Sequence, residues 1–244
     1  MKANSFAHEI APEMPRAGLA PSRKIALAGG ILYLITFVSV PQFLLYTRVR
    51  DPNYLVGPGP DTGVITGGIL EIIVALAGIA TAVALFPALK RQNEALSLGL
   101  IASRVLEAAT IFAGVVCLLT MVSLRKSGAG AEGLVTGRAL IAMYDWFHLG
   151  QGIMPAVDDL LLGYLLYRSR LVPRALPVMA FIGAPVLLAN MVMLMFGVTG
   201  PALTLTTLGV IPIALFEFGL GVYLIVKGFK PTAITADLDR EKQQ

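Results

Sequence analysis

Six long apolar stretches set the strongest limit on what this chain can fold into. They cover approximately residues 25–46, 63–86, 95–122, 139–167, 175–197 and 206–227. About 20 apolar residues in a helix are enough to cross a hydrocarbon core about 30 Å thick. Only 14% of the 244 residues are charged, whereas soluble domains carry about 25%. We therefore predict an all-α fold, a polytopic six-helix transmembrane bundle.

The basic residues between the stretches predict which side of the membrane each loop faces. With the N-terminus inside, the cytoplasmic side receives 13 of them: Lys2, Arg16, Arg23, Lys24, Lys90, Arg91, Arg168, Arg170, Arg174, Lys227, Lys230, Arg240 and Lys242. The outside receives five: Arg48, Arg50, Arg125, Lys126 and Arg138. This bias follows the positive-inside rule, so both termini are expected in the cytoplasm. Anionic membrane lipids account for the net charge of +4, and no nucleic-acid partner is needed.

The two ends of the chain differ in composition from the apolar region. Residues 1–24 hold scattered charges and prolines, and a full-length apolar run follows them, unlike a cleaved signal peptide. We predict a disordered cytoplasmic tail over residues 1–24, a six-helix transmembrane domain over 25–228 and a polar cytoplasmic tail over 229–244. The two larger loops are expected to face outward: the one after the first stretch is expected to be irregular, and the glycine-rich one after the third is expected to be mobile.

Polar side chains inside the apolar stretches are the main functional signal. They are Glu71, Arg104, Glu107, Asp145, His148, Asp158, Asp159, Asn190 and Glu217. An ionised group near the bilayer centre costs at least about 2.5–3.5 kcal/mol, so it normally faces the bundle interior and has a partner. Six carboxyl groups face one arginine and one histidine in this set. We therefore expect some of the carboxyl groups to be protonated at neutral pH.

Arg104 and Glu107 are three residues apart, so their side chains can meet on one helix face. One interpretation is a buried ion-pair network in which these two residues and one of Asp158 or Asp159 join the third and fourth stretches. The other interpretation makes Arg104 an anchor for an anionic headgroup or carboxylate. The ligand-binding residues would then include Arg104, Asp158, Asp159 and Glu217.

The segment YDWFHLGQG, residues 144–152, crowds polar groups into an apolar stretch. Asp145 and His148 are also three apart, so the carboxylate can hydrogen-bond the imidazole ring. Glu71 is expected at the same depth and is the predicted third member of this group. The segment therefore suggests an outward-opening binding or acid–base site.

We predict that such a site would use four acid–base groups: His148, Asp145, Glu71 and Glu107. Tyr144 and Trp146 are the candidate aromatic contacts to a ligand. The alternative is that Tyr144 and Trp146 are interfacial aromatic residues at a helix end, with His148 satisfied in the core beneath them.

Familiar catalytic signatures are missing from the chain. There is no G-x-S-x-G, H-E-x-x-H, P-loop or dinucleotide-binding pattern. The single cysteine, Cys117, provides neither a disulfide framework nor a thiolate metal site. A metal would have to bind His148 with carboxylates, which is a weak signal, so we predict no metal and no cofactor.

Two segments carry a resemblance to a known family. They are SRVLEAATIFAG, which contains Arg104 and Glu107, and YRSRLVPRALPVMAFIGAP, which contains Pro173 and Arg174. With the overall layout, they make residues from about 22 to 228 similar to the bacterial multi-pass membrane proteins called domain of unknown function 4386. The resemblance implies a six-helix bundle in the bacterial cytoplasmic membrane, and it implies no activity.

Three functional hypotheses follow. The first is an integral membrane protein that binds a lipid-like or amphipathic small molecule in a polar-floored cavity. The second is a membrane-embedded acid–base enzyme of the isomerase or cyclase type. The third is a proton-coupled transporter, although no inverted repeat between the two halves supports it. The sequence does not predict the oligomeric state.

Overall fold

The computed structural model describes residues 18–39, 42–198 and 200–241, and its regular structure there is entirely helical. The elements are α1 (Pro21–Ile35) with a 3₁₀ segment (Thr36–Ser39), α2 (Gln42–Leu45), α3 (Thr62–Leu89), α4 (Glu94–Lys126) with a 3₁₀ turn (Gly130–Gly133), α5 (Leu134–Ser169), α6 (Ala175–Met195), α7 (Gly200–Val226) and α8 (Ala233–Arg240). The predicted all-α class is confirmed for the described residues.

Helices α1, α3, α4, α5, α6 and α7 form a closed ring. Each packs against the next one along the chain, and α7 returns to pack against α1. Neighbouring helices run antiparallel: on α4 and α5, Gly99 lies near Leu161, whereas Thr110 lies near Gly150. Each helix of the ring therefore runs opposite to the previous one. Every helix in the ring has two antiparallel neighbours.

Small residues let two pairs of helices approach closely. A Cβ atom added to Gly30 of α1 would lie 2.8 Å from the carbonyl oxygen of Gly221 on α7. The same relationship joins Gly183 of α6 to the Gly209 carbonyl of α7, again at 2.8 Å. Close backbone approach at small residues is typical of helix packing in membranes, where dispersion contacts replace the hydrophobic effect.

Five helical segments are long and apolar enough to cross a membrane: Pro21–Val38, Thr62–Leu89, Glu94–Lys126, Ala175–Met195 and Thr206–Val226. Large apolar side chains face outward from these segments, including Leu76, Val116 and Leu215, which are 54%, 61% and 57% exposed. An outer surface this apolar suits lipid rather than water. The fourth predicted stretch lies on α5, whose polar residues keep it out of this set. Membrane crossing by α5 therefore stays a prediction.

One end of the ring, which we call the basic end, gathers the start of α1, the α3–α4 turn, the α5–α6 connection and α8. Ser22 donates to Asp239, and the guanidinium of Arg91 pairs with Glu241 at 2.5 Å. The backbone N–H of Lys230 donates to the carbonyl of Leu171 over 2.8 Å. The beginning of α1 and the end of the described chain therefore lie at the same end of the bundle.

Helices begin inside both of the predicted tail segments. The segment 229–244, predicted to be a polar tail, contains helix α8, which begins with a reciprocal capping box between Thr232 and Thr235. Leu238 of α8 is buried in the main apolar core. One buried leucine in a short segment gives too little periodicity to predict a docked helix. Pro21 begins α1 inside the predicted N-terminal tail, and residues 1–17 of that tail lie outside the described residues.

The opposite end, which we call the loop end, is covered by residues 46–61. This loop has an irregular backbone, as expected, but Tyr46, Val49, Tyr54 and Leu55 are buried against α4 and α5. The Arg125 guanidinium of α4 binds the Asp61 carboxylate at 2.6 Å. The loop is thus packed over the bundle.

Candidate functional site

A buried polar cluster, which we call the Arg104 cluster, lies in the middle of the ring. Arg104 Nη1 lies 2.8 Å from Glu107 Oε2 on the same helix. Its Nε lies 3.2 Å from Asp158 Oδ2 on α5, and its Nη2 lies 3.4 Å from Glu217 Oε1 on α7. The ion pair expected from the i,i+3 spacing is present, and the guanidinium also joins α4 to α5 and α7.

Tyr33 of α1 completes the Arg104 cluster, and its role was not predicted from the sequence. Arg104 Nη2 donates to the Tyr33 hydroxyl over 3.1 Å, and this hydroxyl donates to Asp159 Oδ1 over 3.5 Å. Tyr33 is 1% exposed and Asp159 is fully buried. A tyrosine in an apolar stretch is usually ordinary packing, so the signal available to sequence reasoning was weak.

The arrangement of the Arg104 cluster supports the interpretation as a helix-joining network. Arg104 is only 6% exposed, and each of its three nitrogens faces an acceptor within the cluster. The three surface grooves described below are lined by other residues. The role predicted for Arg104, Asp158, Asp159 and Glu217 in binding a ligand stays a prediction.

Glu71 forms a second buried cluster with two tyrosines. Its two carboxylate oxygens accept from Tyr46 over 3.1 Å and from Tyr144 over 3.2 Å. The two rings meet edge to face at 5.8 Å. Tyr144 is only 2% exposed, so it is a core residue, and its assignment as an interfacial aromatic is wrong.

The predicted grouping of Asp145, His148 and Glu71 is not formed. Asp145 Oδ1 instead accepts from Arg50 Nη2 over 2.6 Å, and Glu71 is held by the tyrosines. His148 lies beside the Tyr144 ring, with centroids 5.7 Å apart, so Tyr144 stands between His148 and Glu71. The i,i+3 spacing permitted a contact, but the loop supplies Arg50 as a stronger partner for Asp145.

His148 borders a groove between α5, α6 and α7, which we call the His148 groove. Its volume is about 500 Å³, and its lining consists of Asp145, Trp146, His148, Leu149, Gly152, Leu187, Met191, Leu194, Thr206 and Val210. Neither Glu71 nor Glu107 lines this groove. The prediction that His148 borders a cavity shared with one of these two acids is therefore wrong. Trp146 stands at its rim and is 59% exposed.

Two polar atoms in or next to the His148 groove have no hydrogen-bond partner among the described residues. They are Nδ1 of His148 and Oδ1 of Asn190. Asn190 is fully buried, and its amide donates to the groove-lining Thr206 over 2.8 Å. Buried polar atoms normally have partners, so these two mark where a polar group of a ligand or water would be stabilised.

Two further grooves lie at the ends of the bundle. One, of about 310 Å³ at the loop end, is lined by residues that include Arg50, Tyr54, Met121, Arg138 and Asp145. The other, of about 560 Å³ at the basic end, is bordered by α8 and by Lys24, Lys90 and Arg91. Within the described part of the chain, no three His, Cys, Asp or Glu side chains are grouped to hold a metal ion.

The apolar helices and buried polar clusters define a multi-helix membrane protein. A family model described as "Domain of unknown function (DUF4386)" matches residues 28–228. The chain therefore belongs to this family, as the motifs around Arg104 and Pro173 predicted. No curated protein and no solved structure matches the chain.

Proposed function

We propose that this protein is a six-span integral membrane protein that binds a lipid-like or amphipathic small molecule in the His148 groove. Helix α5 lies between α4 and α6 in a closed antiparallel ring, and both neighbours are long and apolar enough to span. A helix held in that position crosses the same layer as its neighbours. Its polar residues Asp158 and Asp159 are fully buried, which removes the main objection to placing α5 in a membrane.

The charge bias of the loops supports an orientation with both termini in the cytoplasm. The basic end carries the start of α1, α8, Lys90, Arg91 and Arg174, whereas the loop end carries fewer basic residues. Positive charge near the ends of spanning helices favours the cytoplasmic side. The location that fits this bias and the family is the cytoplasmic membrane of a bacterium.

The observation that carries the proposal is the His148 groove, whose mainly apolar lining includes the imidazole of His148. The buried Nδ1 of this ring has no hydrogen-bond partner among the described residues. Ligand pockets are mainly apolar with a few polar groups that orient the ligand. The His148 groove has this distribution: Leu187, Leu194 and Val210 provide apolar contact, and the imidazole is a polar end. An amphipathic molecule with an acyl or isoprenoid-like tail matches both parts.

The test is mass spectrometry of small molecules that copurify with the protein in lipid nanodiscs. His148→Ala is expected to lose a molecule retained by the wild type, and His8→Ala is the matched control because it removes the chain's other histidine. Val210→Trp should fill the groove and exclude the same molecule. Val222→Trp, on the exposed surface of α7 away from the groove lining, should retain it. Equal retention by all four variants would refute the proposal.

A membrane-embedded acid–base enzyme is the second candidate, and the same free nitrogen favours it. Nδ1 of His148 could exchange a proton with an apolar substrate held in the groove. Glu71 and Glu107 do not line the groove, so His148 would act with Asp145 alone. A chemically altered molecule recovered from the wild type, with the unaltered molecule recovered from His148→Ala under equal loading, would favour the enzyme.

A further inference from the structure

The charges of the Arg104 cluster do not balance. One guanidinium faces four carboxyl groups, which come from α4 (Glu107), α5 (Asp158 and Asp159) and α7 (Glu217). Among the described residues, the remaining titratable neighbour in this cluster is the hydroxyl of Tyr33 on α1. Four ionised carboxylates would leave a net charge of −3 in a buried site, which is strongly unfavourable because an unpaired ion loses its hydration.

Asp159 is the carboxyl group with the least compensation. Each of the other three lies within 3.4 Å of a guanidinium nitrogen of Arg104. Asp159 is fully buried, and its closest polar contact is the Tyr33 hydroxyl at 3.5 Å. Its second oxygen, Oδ2, has no hydrogen-bond partner in the described part of the chain. Both oxygens of Asp158 also lack a hydrogen bond there, but Asp158 has the Arg104 guanidinium 3.2 Å away.

We propose that the Arg104 cluster is an intramembrane proton-binding site in which Asp159 carries a proton at neutral pH. The step is the simple addition of H⁺ to a carboxylate, with no redox change. A proton on Asp159 removes a buried negative charge and breaks none of the three ion pairs of Arg104. With the proton on the unpartnered Oδ2, Asp159 Oδ1 still accepts from the Tyr33 hydroxyl, which in turn accepts from Arg104.

The position of Asp159 gives this proton a structural consequence. On α5, the lining of the His148 groove ends at Gly152. Asp159 lies seven residues further along the same helix, which is about 10 Å. Loss of the proton would place a charge at the contact between Asp159 of α5 and Tyr33 of α1. The protonation state of the cluster is therefore linked to the packing of the same helix that forms the groove.

Infrared spectroscopy of the full chain in nanodiscs tests the proposal. Wild-type protein at neutral pH is expected to show a carbonyl stretch of a protonated carboxyl group, and the band should shift in D₂O. Asp159→Asn should lose that band. Asp145→Asn is the matched control, because Asp145 is half exposed and paired with Arg50, and it should leave the band unchanged. A wild-type spectrum without the band, or an unchanged band in Asp159→Asn, would overturn the proposal.

The stability of Asp159→Asn gives a second readout. Asparagine is neutral and nearly isosteric with a protonated aspartic acid, so this variant should unfold close to the wild-type temperature. Strong destabilisation would mean that the negative charge is required, which contradicts the proposal. Tyr33→Phe is an independent check: it must shift the frequency of the wild-type band, since it removes the hydroxyl next to Asp159. An unmoved band would show that the proton lies elsewhere.

Discussion

Arg104 of α4 and Asp158 of α5 form an ion pair of 3.2 Å between two helices, and neither side chain is more than 7% exposed. The contact joins residues that are 54 positions apart in the sequence. It places Arg104 against helix α5, whose fully buried Asp158 would otherwise have no cation beside it among the described residues. This relationship explains how a helix with several polar residues can belong to an apolar bundle.

Arg104→Ala is expected to destabilise the fold strongly. The substitution leaves Glu107, Asp158 and Glu217 without their shared cation, and removal of one partner from a buried ion pair costs about 3–5 kcal/mol. The yield of monodisperse protein and its thermal unfolding temperature measure the effect. Arg240→Ala is the matched control, because Arg240 pairs with Asp237 on an exposed surface, where ion pairs contribute at most about 1 kcal/mol.

Neutralising an acid in the Arg104→Ala background should restore part of the lost stability. Asp158→Asn is the best choice, since Asp158 is the fully buried partner. An Arg104→Ala protein as stable as the wild type would show that the ion pairs are not needed for folding.

Glu71→Ala should destabilise the loop end of the bundle. It removes the shared acceptor of the Tyr46 and Tyr144 hydroxyls, and each buried hydroxyl left unsatisfied costs about 1–3 kcal/mol. Thermal unfolding measures the loss, with the exposed Glu132→Ala as the control, for which a change within about 0.5 kcal/mol is expected. Adding Tyr46→Phe and Tyr144→Phe to Glu71→Ala should recover stability. A further loss instead would show that the hydroxyls have other partners.

The loop over residues 46–61 is expected to loosen at acidic pH. The hydrogen bond from Arg125 lowers the pKa of Asp61, so the folded value is below the unfolded value of about 3.9. The stabilisation from the Arg125–Asp61 pair is therefore fully present above a pH of about 4. It is lost as the pH falls through the pKa of Asp61 in the folded protein. Hydrogen exchange of the loop, corrected for intrinsic rates, should show the loss of protection.

Asp61→Asn provides the control for this pH dependence. The variant should already be less protected at neutral pH, and its loop should show no acid transition of its own. The same transition in wild type and variant would mean that another group controls the loop.

Reporter fusions test the membrane topology. A reporter after Arg170 should be cytoplasmic if α5 crosses the membrane, because α5 starts from the loop end. Reporters after Leu124 and Lys230 should be external and cytoplasmic, respectively. If α5 does not cross, the reporters after Leu124 and Arg170 will give the same signal. An external signal at Lys230 would refute the proposed placement of the C-terminal segment.

Features that depend on residues close together in the chain could be predicted from the sequence alone. The length and apolar character of the stretches predicted the helices, and the i,i+3 spacing predicted the contact between Arg104 and Glu107. Both are properties of a single helix, because 3.6 residues per turn place such residues on one face. The family membership also followed from short local motifs around Arg104 and Pro173.

Which polar groups meet across helices could not be predicted, because it depends on how the helices pack. The tertiary structure placed Tyr33 beside Arg104, gave Glu71 to Tyr46 and Tyr144, and paired Asp145 with Arg50 from a distant loop. It also separated Asp158, which touches Arg104, from Asp159, which does not, although the two are adjacent in the chain. The reason is that consecutive residues on a helix point about 100° apart, so their partners depend on which helices pack on each side.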